Sequence, residues 1–458
     1  MGVISPKLRK VLDLVKPEAS VPVIIELAVP LATEPVSELE GIGLQVKEKF
    51  PTTNMVSGKL QAKLIEEIAR LPVVKTVYYD EPVTITAVPF FRIAGKEDVL
   101  VPVNDRNTVK DIGAVDVWQQ FGYDGKGVKV AVLDTGADLT HPMLAEAIVK
   151  AESMVPGESA EDKHGHGTWC GGCIAGRSYS GIFKGRAFDL VGVAPESDLI
   201  VIKVLSNDGS GQTSWVMKGM EKAHELGADI VSMSLGSLIS EAGHSPDSRM
   251  VEELAKKGVL FSIASGNQFV PLSVGSPGDS RGAITVASVS AQIPAKNTVS
   301  TFSSKGPTID LRLKPDIAAE GGNVLPTINE LLVCSGANGE LESMAGTSMA
   351  TPHISGVLAL LVQAGMPKDR DTAEYTLGQT AVRRFPVPKD TNRGWGLANA
   401  FNAINQAWWE SPSAKTFDDF ISFVRQATFP VGVAAVPVSQ KLAELFGIET
   451  QPKLAVIE

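Results

Sequence analysis

The sequence predicts an α/β protein, a mainly parallel sheet flanked by helices, preceded by a small α+β unit of ferredoxin-like pattern. Three observations carry this. From Val128 onward the runs Val128 to Leu133, Leu199 to Val204, Ile230 to Leu235, Val259 to Ala264 and Ile284 to Ala287 are short, β-branched and almost wholly apolar. Helix-like segments near 167–176, 213–226 and 248–257 stand between most of them, and apolar strands with intervening helices mean a parallel sheet covered on both faces. Upstream, residues 22–86 alternate strands and helices on a smaller scale, and 458 residues suffice for one large core plus a smaller domain.

In chain order, residues 1–21 read as an N-terminal extension. Within 22–86, Val23 to Leu27 reads as a strand, Glu34 to Ile42 as a helix, Val56 as a strand start, Leu60 to Leu71 as a helix and Val73 to Tyr79 as a last strand. Residues 87–107, with Pro89, Pro102 and a polar run from Asn104, lack periodicity and read as an exposed linker. The larger domain is expected over 108–407. Ligands of such sheets bind beyond the carboxyl ends of the strands, where Asp134 stands and which Asn267 closely follows. Residues 408–458 form a C-terminal extension with two amphipathic pieces, Phe417 to Ala427 and Ser439 to Phe446, for which Trp408 and Trp409 are the expected anchor.

A formal charge of −10 without like-charged blocks gives no footprint for a nucleic-acid partner. No apolar run is long enough for a membrane span, and Met1 to Ser20 lacks the apolar core of a secretory signal, so a cytoplasmic location is favoured over a secreted one. The three cysteines are too few for a disulfide framework. Cys170-Gly171-Gly172-Cys173 has redox spacing without a thioredoxin-like setting, and reads instead as small residues on a packed helix.

The stretch Gly346-Thr347-Ser348-Met349-Ala350-Thr351-Pro352-His353 opens a helix that is apolar nearly all round up to Ala364. Pro352 is expected early in it, where a missing N–H is tolerated. Ser348 then sits at the positive end of the helix, either as a simple cap or as a nucleophile awaiting a base. Six histidines make the search for that base short. His224 and His244 read as solvated, His353 as packed in the long helix and His141 as a turn residue. His164 and His166 remain, and His166 opens a helix-like segment between glycines that allow close backbone approach.

Asp134-Thr135-Gly136, His166-Gly167-Thr168 and the Ser348 stretch together resemble the three signatures of the subtilisin-like serine proteases, the subtilases. The resemblance covers roughly residues 108–405. It implies that Ser348 is the nucleophile, His166 the general base, Asp134 its orienting carboxylate and Asn267, in Ser265-Gly266-Asn267, an oxyanion donor. It also implies that Gly209, Ser210 and Gly211 on one side, and Ser234, Leu235 and Gly236 on the other, grip protein or peptide substrates as an added strand. Ala264, Ser265 and Gly266 belong to the same binding face. Gly275 matches the floor of the first specificity pocket, where no acid is evident, so apolar or aromatic residues are expected before the cut bond, with little taste for Lys or Arg. Cys170, four residues after His166, resembles the thiol-containing branch of the family, in which mercurials inhibit.

The resemblance further implies an endopeptidase needing no cofactor for its chemistry, made as a precursor. Residues 22–86 resemble the propeptide that acts as an intramolecular inhibitor, with self-cleavage expected between about residues 84 and 105. Structural calcium is compatible with the resemblance, but two departures alter the family's strong calcium site. Met143 stands where many members place a calcium-ligating Asp, and Gly176 to Val191 is unlike the usual calcium loop; a thioether suits a hard cation poorly. Residues Asn323 to Glu342 look like an insertion near the active site. Competing readings lack their marks. A catalytically dead relative would have lost one of the four residues, and an α/β-hydrolase would show Gly-x-Ser-x-Gly.

Overall fold

The computed structural model describes residues 2–86, 97–103, 108–237, 240–292, 295–383 and 389–406. The expected C-terminal extension, with Trp408 and Trp409, lies outside the described residues, as does the stretch 87–96.

The N-terminal unit comprises β1 (Val3–Ile4), α1 (Pro6–Leu12), β2 (Ser20–Leu27), α2 (Thr33–Ile42), β3 (Gln45–Phe50), β4 (Met55–Gln61), α3 (Ile65–Arg70) and β5 (Val74–Tyr79). Its strand order is β1-β5-β2-β4-β3, antiparallel except where β1 lies beside β5. Residues 1–21 are therefore not a separate extension. β1 adds an edge strand, and α1, capped by the Ser5 hydroxyl accepting from Leu8 N at 3.3 Å, buries Leu8 in the unit's core. The helix expected from Leu60 starts only at Ile65, because β4 runs on to Gln61. β3 was not foreseen, since an edge strand in which three of six residues are charged carries little apolar signal.

Side-chain alternation in β2 explains how the unit is held. Val21, Val23, Ile25 and Leu27 join the unit's own core with Leu39, Ile65 and Ile68. Ile24, on the opposite face, joins the core of the larger domain with Met217, Met220 and Met250. Glu26 shares the Ile24 face and is 5% exposed, yet it is paired with Arg249 and with Lys75 at 2.7 Å.

β6 (Pro82–Ile85) and β7 (Glu97–Pro102) follow. β7 corrects the expectation of an exposed linker over 87–107, because Leu100, Val101 and Val103 are buried. Helices α4 (Thr108–Asp111) and α5 (Ala114–Phe121) lead to β8 (Lys129–Asp134), β9 (Ile148–Ser153), α6 (His166–Ala175), the hairpin β10 (Tyr179–Phe183) and β11 (Arg186–Leu190), and β12 (Asp198–Lys203). Next come β13 (Ser210–Gln212), α7 (Thr213–Glu225), β14 (Ile230–Met233), β15 (Leu235–Gly236), α8 (Pro246–Lys256), β16 (Leu260–Ala264), β17 (Ala283–Val289) and β18 (Ile317–Glu320). The segment read as an insertion forms β19 (Asn323–Val324), β20 (Ile328–Ser335) and the start of β21 (Leu341–Met344); α9 (Thr347–Gln363), α10 (Arg370–Thr380) and α11 (Ala400–Gln406) complete the described chain.

The central sheet has seven parallel strands in the order β18-β17-β16-β14-β8-β12-β9. Ala131, Leu133, Ile200, Ile202, Val231, Met233, Phe261 and Ile263 cluster with residues of α7 and α8. The opposite face receives α9, to whose Thr351 carbonyl the Ser262 hydroxyl donates at 3.1 Å, and α6 packs against α9. A second sheet joins β7 in parallel to β20, which pairs with β19 and β21. Its link to α6 is direct: Trp169 Nε1 donates to the Leu332 carbonyl at 3.3 Å and Ser335 Oγ to that of Thr168 at 2.9 Å.

Candidate active site

Three side chains meet at the carboxyl edge of the central sheet because each begins or ends an element there. Asp134 is the last residue of β8, His166 the first of α6 and Ser348 the second of α9. All three are buried. His166 Nδ1 lies 2.7 Å from Asp134 Oδ1, and Thr135 N donates to that same oxygen at 2.8 Å. Burial works against the imidazolium, but the Asp134 carboxylate outweighs it and holds His166 well above its ordinary pKa.

The neighbours of His166 explain its local sequence. A Cβ on Gly167 would lie 2.1 Å from the Gly136 carbonyl, so only glycine lets α6 come this close to the turn after β8. Asp162, which the sequence reading passed over, accepts from the backbone N–H groups of His164, Gly165 and Thr168 and thereby caps α6. Buried Lys203 donates to the Thr135 carbonyl and braces the same turn. Cys170 is buried, its Sγ 4.0 Å from His166 Nδ1 and 3.8 Å from the Ser348 carbonyl, and desolvation raises its thiol pKa. Cys170, Cys173 and Cys334 are all free and buried.

Pro352 corrects one expectation. It lies inside α9, past the first turn, and so withholds the N–H that would have bonded the Ser348 carbonyl. The Ser234 hydroxyl donates to that carbonyl instead, at 2.9 Å, and the helix end stays satisfied. The other histidines sort themselves by partners. His353 donates from Nδ1 to the Met349 carbonyl at 2.7 Å and its Nε2 meets the Thr108 hydroxyl at 2.8 Å; burial pushes its pKa down to about 4. His141 is buried, with Nδ1 accepting from Met143 N and Nε2 facing the Glu340 carbonyl at 3.0 Å.

The site is filled by the chain itself. β6 lies between β13 and β15, antiparallel to both, pairing Val83 with Gly211, Thr84 with Ser210 and Gly236, and Ile85 with Leu235. Ile85 N donates to the Gly209 carbonyl at 3.2 Å and Thr86 N to that of Ser234 at 3.0 Å. The six residues expected to grip an extended peptide are thus brought together around one. Asn267 Nδ2 donates to the Thr86 carbonyl, while its Oδ1 accepts from Thr347 N and Thr347 Oγ1, each at 3.0 Å. The amide is thereby oriented with its NH₂ toward the carbonyl. Ser348 Oγ donates to the Ser234 carbonyl at 3.1 Å and lies 2.8 Å from Thr86 Oγ1; His166 Nε2 has no hydrogen-bond partner among the described residues.

Ala264 ends β16, Ser265 follows it, and Gly266, at φ +103, turns the chain toward Asn267. Gly275 is required to be glycine by its backbone neighbour. A Cβ there would lie 2.1 Å from the Ser237 carbonyl, so close backbone packing demands it. The two places that depart from the family's calcium pattern are taken up by other contacts. Met143 is buried with its methyl against Gly176, the stretch after α6 is the β10–β11 hairpin, and the Arg177 guanidinium takes the carbonyls of Ala175 and Pro195.

A chain-wide comparison agrees with the geometry. A model of the subtilase family matches residues 125–397. Among curated relatives, serine protease AprX of Bacillus subtilis (strain 168) is 34% identical over 303 residues, covering 61% of this chain and 66% of that protein. The intracellular serine protease of Paenibacillus polymyxa is 35% identical over 290 residues, 60% of this chain and 78% of that protein. Subtilisin E of Bacillus subtilis (strain 168) is 31% identical over 325 residues, 70% and 73% of the two chains. With an acid, an imidazole and a hydroxyl at the ends of β8, α6 and α9, and an amide aimed at a peptide carbonyl, the chain belongs to the subtilase family of serine proteases.

Proposed function

We propose that the protein is a serine endopeptidase held in check by its own N-terminal unit, and that it cuts itself between Thr86 and Ala87. The observation that carries this is the Thr86 carbonyl on Asn267 Nδ2 with the Thr86 and Ser348 hydroxyls in contact, so that the Thr86 carbonyl stands where a substrate's would. In this reading Ser348 Oγ attacks the carbonyl carbon while His166 Nε2 takes its proton. Asp134 holds the imidazole and stabilises the imidazolium. The Asn267 amide and the Ser348 N–H, in the first turn of α9, bind the oxyanion. His166 then returns the proton to the leaving amine, and water cleaves the acyl-enzyme by the same steps. No cofactor enters.

The unit that carries β6 acts as propeptide and inhibitor. Its strand–helix–strand–strand–helix–strand order from β2 to β5 is that of a ferredoxin-like sandwich, and Asp80, just before β6, accepts from Ser214 N at 2.9 Å and Ser214 Oγ at 2.7 Å at the start of α7. Thr86 adds a restraint, because its hydroxyl and the Ser234 carbonyl hold Ser348 Oγ until the side chain rotates toward His166. After release, broad cleavage with apolar or aromatic residues before the bond is expected. Thr86 is neither, so peptide libraries test that preference independently of processing. A cytoplasmic location is supported by the relatives named as intracellular, and cell fractionation checks it.

The deciding experiment incubates the purified chain beside a Ser348→Ala version and sequences any new N-terminus. A start at Ala87 in the first alone is expected, with fluorophosphonate labelling of Ser348. Equal processing in both would overturn self-cleavage.

A further inference from the structure

We infer that Glu342 is a specificity-determining residue for the proteolysis proposed above, its carboxylate receiving a basic side chain of the substrate within the first three residues after the cut bond. The inference rests on the protease reading and adds to it a preference on the leaving-group side, which β6 leaves open.

Geometry places Glu342 beside the catalytic base. Gly165, the residue before His166, has φ +94, and a Cβ built on it would lie 2.2 Å from Glu342 Oε2 and 3.3 Å from its Cδ. The carboxylate therefore lies against the Gly165 backbone, next to His166. β21 carries it there and runs on through Ala345 and Gly346 into Ser348.

The side of the site follows from the strands. β6 occupies the part before the bond, in a sheet with β13 and β15, and His164 meets its Ile85 across Gly209, both lying within 3.5 Å of where a Gly209 Cβ would be. β21 belongs to the other sheet, with β20 and β7, and has no pairing with β6. The leaving amine must come within reach of His166 Nε2, so the residues that follow the bond pass Gly165 and the carboxylate on it.

Charge then names the ligand. Glu342 is half-buried, and among the described residues no hydrogen bond or ion pair joins its carboxylate. Burial, offset in part by His166 and reinforced by Asp162, pushes its pKa up to about 7. Asp138, whose Oδ2 accepts from Gly339 N at 2.6 Å, and exposed Glu340 add negative charge on the turn leading into β21; Lys163 is the exposed cation beside Asp162. A half-desolvated carboxylate without a partner gains most from a cation that arrives with the substrate. Glu342 also ends the segment, Asn323 to Glu342, that reads from the sequence as an insertion.

The test uses processed enzyme and quenched-fluorescent peptides identical up to the cut bond, with Arg, Gln or Glu at each of the first three positions after it. At pH 8 the Arg-to-Glu ratio of kcat/KM at the best position is expected to be about ten-fold or more, given a partly desolvated charge pair. Glu342→Gln should bring it below about three-fold, and Glu342→Asp, which keeps the charge, should retain most of it. Because the ratio is read within each variant, a change in overall rate cancels. An unchanged ratio in Glu342→Gln, or no preference in the unaltered enzyme, overturns the inference. If no peptide is cleaved at all and Ser348 resists labelling, the protease reading falls, and this inference with it.

Discussion

β6 and β7 come from neighbouring parts of the chain and look equally strand-like, yet they are held in opposite ways. β6 is antiparallel between two short edge strands whose bonds any extended peptide could make, whereas β7 is the parallel partner of β20 along six residues, in the sheet that braces α6. Under the proposed function the first is exchangeable with substrate; the second is part of the scaffold that holds the His166 helix. The proposed cut after Thr86 would fall between them, so that one strand would leave with the N-terminal unit and the other would stay.

The largest expected effect is on the cut itself. Ser348→Ala should abolish processing and lower peptide turnover by about 10⁴-fold or more, leaving β6 and β7 joined, as N-terminal sequencing and mass would show. Asn267→Ala should slow processing and turnover by about 10²–10³, a magnitude known from subtilisin, a relative, rather than derived from this chain. Val83 and Val101 break the comparison from either side. Both are fully buried, and truncation to Ala should cost about 2 kcal/mol. Val101→Ala should lower the denaturant midpoint of the processed enzyme. Val83→Ala should leave that midpoint alone and weaken inhibition by the separated N-terminal unit about 30-fold. Equal behaviour of the two variants would erase the distinction.

A smaller effect should follow pH. Burial pushes Glu81, just before β6, up to about 7 despite Lys7 at 2.6 Å. A carboxyl whose pKa is raised in the docked state stabilises docking fully below its ordinary value, and that contribution is lost as pH rises through about 7. The inhibition constant of the N-terminal unit should therefore rise about ten-fold from pH 5 to pH 8, after allowance for the lysine, and Glu81→Gln should flatten the curve. The smallest effect is expected from a chelator. With Met143 and the Arg177 guanidinium where calcium might be sought, EDTA should leave the melting temperature of the processed enzyme unchanged.

Much of this was legible before any coordinates. Asp134, His166 and Ser348 are readable because each sits at an element end that local pattern marks, and the small turn residues around them can be reasoned from backbone crowding. Thr86 was not readable. Nothing in Pro82–Thr86 distinguishes a strand that fills a cleft from one that ends a domain, and its contact with Asn267 spans 181 residues. β1 was missed because a two-residue edge strand is too short to show a period, and β7 because Pro102 and the polar run from Asn104 mark its surroundings as a linker. Pro352 was placed too early in α9, since its tolerance depends on Ser234, a partner 114 residues from Ser348.

By itself the sequence determined the alternation of apolar strands and helices and the side chains capable of acyl transfer, because periods of 2.0 and 3.6 residues and side-chain chemistry are local properties. Only the tertiary structure decided which strand lies in the cleft, which carboxylate covers Gly165 and which strand supports the His166 helix. Those choices are made by backbone hydrogen bonds and close packing between distant segments, and every residue but proline carries the same backbone donor and acceptor.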